Sequence, residues 1–219
     1  AGLGEGDVIV ALAGKETPGF AELGAALRTC RAGDVVDVDL VRGQTQETVQ
    51  VTLGSRPMRE VPDSAAELAD LVAQGQAETH AELRAAVEGV TEAEADEQPG
   101  EGDWSVKQTL AHLTEGERGF HMVIVNLALN AWFDAGPVYP DQIPGRLDAV
   151  LAVTPTLQGL VERFITDQSE TAAILRGLPE TTIEHKARFR RIAEYSLAGP
   201  DHTRQHIEQI KGAIAAARA

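Results

Sequence analysis

Asp201-His-Thr-Arg-Gln-His-Ile-Glu-Gln-Ile210 carries two histidines, His202 and His206, four residues apart. On an α-helix that spacing puts both imidazoles on one face, with Cβ atoms roughly 6 Å apart, close enough to grip one metal ion. At roughly 100° per residue, His202, His206, Ile210, Ala213 and Ala217 share an arc about 80° wide. Both histidines are therefore expected to look into a helical interior. A third histidine, His112, lies in a second helical stretch, Ser105-Val-Lys-Gln-Thr-Leu-Ala-His-Leu113, which Ser105 and Gln108 open as a capping box. The apolar centre of that helix runs through Leu113, Phe120, Ile124 and Leu127, with His112 on its flank beside Gly116, Gly119 and Val123. The glycines leave room next to the imidazole. Three neutral imidazoles from two packed helices would hold a divalent metal and leave a coordination position open.

Helical patterning extends outward from these two stretches over residues 63–219. Ser64 to Val90 carries Leu68, Leu71, Val72, Leu83 and Val87 in an amphipathic pattern rich in strong helix formers. Thr91 to Asp103 reads as an acidic loop. The helix opened by Ser105 is expected to run to about Trp132, followed by a Gly/Pro-rich connection over 136–145 and a short apolar segment, Leu147 to Val153. Thr154-Pro155 predicts a third N-terminus, with Thr154 as cap and the helix ending near Gly177 and Pro179. Residues 182–200 read as a mixed connection, and the last helix is expected from Pro200 or Asp201 onward. Four helices with one long connection describe an all-α four-helix bundle.

Residues 1–54 have a different period and read as α+β. Asp7 to Ala13 is a short apolar run bounded by glycines, hence a strand. Phe20, Leu23 and Leu27 recur at helical spacing. Asp34 to Arg42 alternates, with Val36, Val38 and Leu40 on one face, and Thr48 to Leu53 alternates again; Gly43-Gln-Thr-Gln46 links the two as a hairpin. Residues 55–62, with two prolines, read as a linker.

The segments Ala1-Gly-Leu-Gly-Glu-Gly-Asp-Val-Ile-Val-Ala-Leu-Ala-Gly14, Phe20-Ala-Glu-Leu-Gly-Ala-Ala-Leu27, Gly33-Asp-Val-Val36 and Val38-Asp-Leu-Val-Arg42 resemble the later part of a PDZ domain of the bacterial protease-associated type. The resemblance implies a protein partner for this half. In that family the loop that captures a peptide carboxylate, and the edge strand that pairs with the peptide, precede this point, so the resemblance is to a partial PDZ domain. The chain opens without an initiating Met and reads as a fragment.

Composition narrows the function classes. The 219 residues are 43% hydrophobic, 24% charged and only 4% aromatic, with a single cysteine, Cys30. One cysteine excludes an internal disulfide framework and a cysteine-rich zinc site; Cys30 is expected as a small buried residue. Net charge is −15, and thirteen acidic residues against Arg84 alone lie between Glu60 and Asp103. Such a chain repels phosphate backbones and anionic membrane surfaces, so neither nucleic acid nor membrane is expected as a partner. No apolar run approaches the eighteen or so residues that span a bilayer. No signal peptide is visible, and a cytoplasmic location is expected.

Residues 62–219 resemble the DinB/YfiT-like family of metal-dependent proteins through Trp104-Ser-Val-Lys-Gln-Thr-Leu-Ala-His-Leu113 and Asp201-His-Thr-Arg-Gln-His-Ile-Glu-Gln-Ile210. The resemblance implies a four-helix bundle, often dimeric, with His112, His202 and His206 as ligands of a divalent ion, zinc or nickel. It further implies a small-molecule substrate, and for some relatives a low-molecular-weight thiol such as bacillithiol, mycothiol or glutathione. A three-histidine metal can activate water for hydrolysis, or bind and deprotonate a thiol for transfer; these residues leave both open. A zincin mechanism is excluded, because His-Glu-x-x-His needs Glu where Thr203 stands. Glu115, three residues after His112, is the candidate base, with Asp201 and Glu208 beside the pair as further carboxylates; the bland alternative for each is a solvated surface group. His121 is expected opposite His112, His80 and His185 in hydrogen-bonded or surface roles, and Trp104 and Trp132 as packing residues. The competing reading is a non-catalytic scaffold, in which a metal-stabilised bundle accompanies a protein-binding PDZ-like half.

Overall fold

Residues 2–55, 59–129 and 144–219 are described by the computed structural model of the chain. Contacts divide it into two units, Ala1–Arg59 and Glu60–Ala219.

In the first unit, β1 (Val8–Leu12) and β2 (Lys15–Glu16) form a hairpin, α1 (Phe20–Leu27) follows, and β3 (Val35–Arg42) and β4 (Thr45–Thr52) form a second hairpin. All pairings are antiparallel in the order β2-β1-β3-β4. The alternation in β3 has its expected consequence: Val38 and Leu40 are 1% and 0% exposed, and Val38 meets Leu12, Ala26 and Val51 in the core of the unit. Arg42 pairs with Thr45, so the turn is Gly43–Gln44 alone, with Gly43 at φ +63°, the left-handed conformation that two-residue hairpin turns require. The link expected over 43–46 is shorter because Thr45, Gln46 and Glu47 pair although their polar side chains show no period. Strand β2 has no sequence signature, since two residues cannot alternate. Cys30 is half-buried rather than buried; its thiol points at the Ala26 carbonyl, 3.6 Å away, and packs on the core.

Arg42 ties the sheet to the segment that leads into it. Its Nε and Nη2 donate to the two carboxylate oxygens of Asp7, each at 2.8 Å, and Nη2 also donates to the Gly2 carbonyl at 2.8 Å. Hydrogen bonds from Arg42 and from the Gly4 amide lower the Asp7 pKa from 3.8 to about 2.

In the second unit, α2 (Ala65–Ala86), α4 (Val106–Ala128), α6 (Leu157–Arg176) and α8 (Lys186–Ala217) are long, and α3 (Glu92–Asp96), α5 (Pro144–Val153) and α7 (Glu180–Glu184) are short connectors. Helix α6 packs on α2 and α4, and α8 packs on the same two, which closes a ring of four. Ser64 caps α2 by accepting from the Glu67 amide at 3.2 Å. The capping box of α4 is present: the Ser105 hydroxyl accepts from the Gln108 amide at 3.2 Å, and Gln108 Oε1 accepts from the Ser105 amide at 2.9 Å.

Several expected boundaries move. Helix α8 begins at Lys186, not at Pro200 or Asp201, so the expected mixed connection over 182–200 is mostly helix. Pro200 lies inside the helix. Proline deprives the preceding turn of one donor and crowds it, but here its ring sits against Gly75 of α2, where any Cβ would lie 2.8 Å from Pro200 Cγ. Packing in that notch outweighs the local break. Helix α6 is capped by Thr156, whose hydroxyl accepts from the Gly159 amide at 3.2 Å. The expected cap, Thr154, instead ends α5, its amide donating to the Val150 carbonyl at 2.8 Å. The acidic stretch 91–103 contains α3 with its own capping box from Thr91 and Glu94, and Lys107 holds α3 against α4 through Glu92 and Asp96 at 2.7 and 2.9 Å. The apolar segment 147–153 belongs to α5. Trp132, and residues 136–143 of the expected Gly/Pro-rich connection, fall outside the described residues.

The interior of the ring is divided into two apolar cores. One gathers Leu83 of α2, Leu110 and Leu113 of α4, Phe164 of α6 and Ile210 of α8. The other gathers Val72, Ile124, Leu175 and Ile192 from the same four helices. Between them, each helix contributes buried polar residues: Gln76 and Thr79, Thr114, Gln168 and Thr171, Ser196 and Thr203. Helices α2 and α8 run from the second core to the first, and α4 and α6 run the other way. Helix α4 therefore ends at the second core, and α6 begins at the first. Among the described residues no helix is long and apolar enough to cross a membrane.

Gly75→Ala should lower stability by about 1–3 kcal/mol in urea unfolding, because the overlap with Pro200 exceeds the roughly 1 kcal/mol gained in helix propensity. For Asp7, the folded carboxyl titrates below its unfolded value, so its stabilising contribution is complete above about pH 4 and disappears as pH falls through about 2. Asp7→Asn should flatten the acid limb of unfolding for the N-terminal unit over that window; an unchanged limb would show that the pair contributes nothing.

Candidate metal centre

His112 sits two turns into α4, just past its capped start, and His202 and His206 lie one turn apart on α8. The α4–α8 contact brings all three together: one ligand nitrogen from each ring lies within 4.8 Å of the other two. The ring centroids are 4.6 Å apart for His202 and His206, 4.9 Å for His112 and His206, and 6.2 Å for His112 and His202. The Nε2 atoms of His202 and His206 are 3.2 Å apart. Nitrogens bound tetrahedrally to one zinc ion at 2.0–2.1 Å lie ~3.4 Å apart, so this pair already has the separation that a shared ion demands. Among the described residues no carboxylate or thiol joins the cluster, and a bound ion would keep a position for an exchangeable ligand.

The neighbourhood suits neutral imidazoles. Gln209 Oε1 lies 2.9 Å from His206 Nδ1. An amide oxygen can only accept, so Nδ1 carries the proton and Nε2 presents its lone pair toward His202. Although His202 is exposed as a residue, partial desolvation of its ring, and then the nearby His206, lower its pKa, which favours the ligating neutral form. Trp104 stacks beside His112 with centroids 4.6 Å apart at 42° and also packs against the first apolar core, so its packing role includes one of the three rings.

The expected inward orientation of the pair needs correction. His202 is exposed and His206 half-buried, whereas Ile210 and Ala213 further along the stripe are buried. The pair lies level with the polar layer, where the ring of helices opens, so the site is at the rim of the interior. Gly116 and Gly119 do leave open space: a Cβ at either would meet nothing within 4 Å. Glu115 lies outside the three-imidazole cluster, ion-paired to Arg146 and 3.8 Å from Arg118. Glu208 pairs with Lys211 at 2.7 Å, and Asp201 lies 3.7 Å from Arg204. His121 Nε2 lies 2.7 Å from the Thr171 hydroxyl and 3.1 Å from the Asp167 carbonyl. His80 donates to Gln168 Oε1 at 2.8 Å. His185 caps α8, accepting from the Arg188 amide at 3.4 Å.

Sequence reasoning missed the polar wall beside the cluster. A cleft of about 260 Å³ reaches from His202 and Gly116 to Glu117, Gln168 and Thr171. The Thr171 hydroxyl donates to the Glu117 carboxyl, and Gln168 Nε2 donates to the Thr203 hydroxyl at 3.3 Å. Burial raises the pKa of Glu117. No spacing in α4 marks Glu117, because its partners come from another helix.

The helices and the histidine cluster define a helical protein with a three-imidazole site able to hold a divalent ion. A family model described as the DinB superfamily matches residues 76–210, well over half of the chain and including all three histidines. The chain belongs to the DinB superfamily. No curated protein and no solved structure matches it.

Zinc added to the metal-free chain should bind at about one ion per chain and raise its Tm, since the cluster forms only in the folded state. Metal below about 0.2 per chain, unchanged in His202→Ala, would sink the ligand assignment. Gln209→Ala should weaken zinc binding by about tenfold, as a lost orienting hydrogen bond does.

Proposed function

We propose that residues 63–219 are a DinB-type four-helix bundle and a metal-dependent enzyme, with His112, His202 and His206 as ligands of zinc or nickel, acting as a thiol S-transferase or a hydrolase on a small molecule. The observation that carries this reading is the convergence of three ligand nitrogens within 4.8 Å at the edge of a cleft. When bound, the ion supplies a Lewis acid that activates water or a small thiol. The chain's own residues do the rest. Gln209 aims the His206 lone pair, Trp104 shields one side of His112, and Gly116 keeps the wall between site and cleft low. Glu115 is a poor base in this arrangement, because Arg146 and Arg118 engage its carboxylate. A homodimer through the bundle fits the same reading.

Residues 1–54 belong to this proposal as a partial PDZ-like domain with a protein partner, joined by a linker over 55–62. The support is the antiparallel sheet with α1, and Phe20, 85% exposed on that helix. If the bundle were a scaffold for this half alone, metal would stabilise it without conferring turnover.

The zinc- and nickel-loaded chain should either conjugate glutathione, mycothiol or bacillithiol to 1-chloro-2,4-dinitrobenzene or hydrolyse p-nitrophenyl acetate. His206→Ala should lower that rate by at least about a hundredfold, the scale of removing a metal-activated nucleophile. A loaded wild type no faster than His206→Ala in every assay would reject the enzyme reading in favour of the scaffold.

A further inference from the structure

The cleft beside His202 has a distinctive chemistry. Its walls include one ionisable carboxyl, Glu117, and three aromatic rings, Phe120, Phe164 and Tyr195. Among the described residues no lysine or arginine lines it. Gln76, only 4% exposed, also lines it, and its carboxamide makes no hydrogen bond to a described residue.

We propose that this cleft binds a small organic ammonium ion, with Glu117 as its counter-ion, the aromatic rings around its carbon chain and Gln76 Oε1 as a further acceptor. The proposal deepens the metal-centre reading and rests on it for the ligand's role as substrate, since His202 belongs to both cleft and cluster. Binding of the ammonium itself needs no metal.

Each wall argues for a cation. Among the described residues His202 is the one basic side chain in the cleft, and no lysine or arginine matches the Glu117 carboxyl there, which disfavours anions. The raised pKa of Glu117 means that the empty cleft disfavours its charge, and a cation entering the cleft removes that penalty. The Thr171 hydroxyl donates to Oε1 of Glu117, and the Gln168 carboxamide is a second hydrogen-bond partner; a carboxylate has about four lone-pair sites, so an N–H donor can still be accepted. Aromatic faces attract ammonium groups and pack against methylenes. His121 on its own helix favours the charge of Glu117 and Asp167 on α6 opposes it, and Tyr195 and His202 on α8 line the same cleft. Arg118 is already engaged by Asp167 at 3.1 Å. The volume of about 260 Å³ lies below the range of ~300–1,000 Å³ for drug-sized ligands, so the ligand is a short amine.

The test compares n-butylammonium with n-butanol, which has the same shape and no charge, by calorimetric titration into the zinc-loaded and the metal-free full-length chain. Butylammonium should bind at least about tenfold more tightly than butanol to both forms, a factor that one charge-assisted contact supplies. Glu117→Gln should abolish the preference while zinc stoichiometry and the circular dichroism spectrum stay as in the wild type. If that variant does not fold, Gln76→Leu should still weaken butylammonium more than butanol. Equal affinity for the two probes, no butylammonium binding to the wild type, or an unchanged preference in the variants would overturn the proposal. Zinc that fails to bind, with the ammonium preference intact in the metal-free chain, would overturn the metal centre and leave the amine site standing.

Discussion

The constraint on which the helical unit depends is the polar layer between its two apolar cores. Apolar packing alone tolerates sliding of one helix along another, because leucine and valine contacts have little directional preference. Buried hydroxyls, amides and carboxyls do not tolerate it, since each must find a partner or lose about 1–3 kcal/mol. Gln168 meets His80 of α2 and Thr203 of α8, and Thr171 meets Glu117 and His121 of α4. Helix α6 is thereby keyed to the other three at one level.

That level is also where the histidines lie. Helix α8 passes from the second core through Ser196 and Thr203 to the first core, and His202 and His206 flank Thr203 on the more open side. Pro200 in the notch at Gly75 holds the same turn against α2. The register set by the polar layer thus decides whether His112, on a different helix, can reach the pair. A one-turn slip of α4 would move His112 by about 5.4 Å, enough to break up the cluster.

Much of this was legible in the residues. The α+β and helical halves, the four long helices, the capping box at Ser105 and the grouping of His112 with His202 and His206 all follow from local periods, cap chemistry and motif resemblance. The misreadings share one cause. Local preference points to Pro200 as a helix start, Thr154 as a cap and 91–103 as a loop, whereas packing or a competing cap decides each. The stripe that points His202 inward continues to the buried Ile210 and Ala213, but a stripe does not say where along the helix the interior opens.

The sequence by itself determined which segments become strands and helices and which three imidazoles are available as ligands, because these depend on spacing of 2 or 3.6 residues and on side-chain chemistry. Only the tertiary structure decided that Glu117, Gln76 and three aromatic rings share a cleft with His202, and that Gln209 rather than Glu115 attends the histidines. The cleft partners are tens of residues apart and are gathered only by the packing of four helices in one register, while Gln209 is hidden in an unremarkable local pattern three residues after His206.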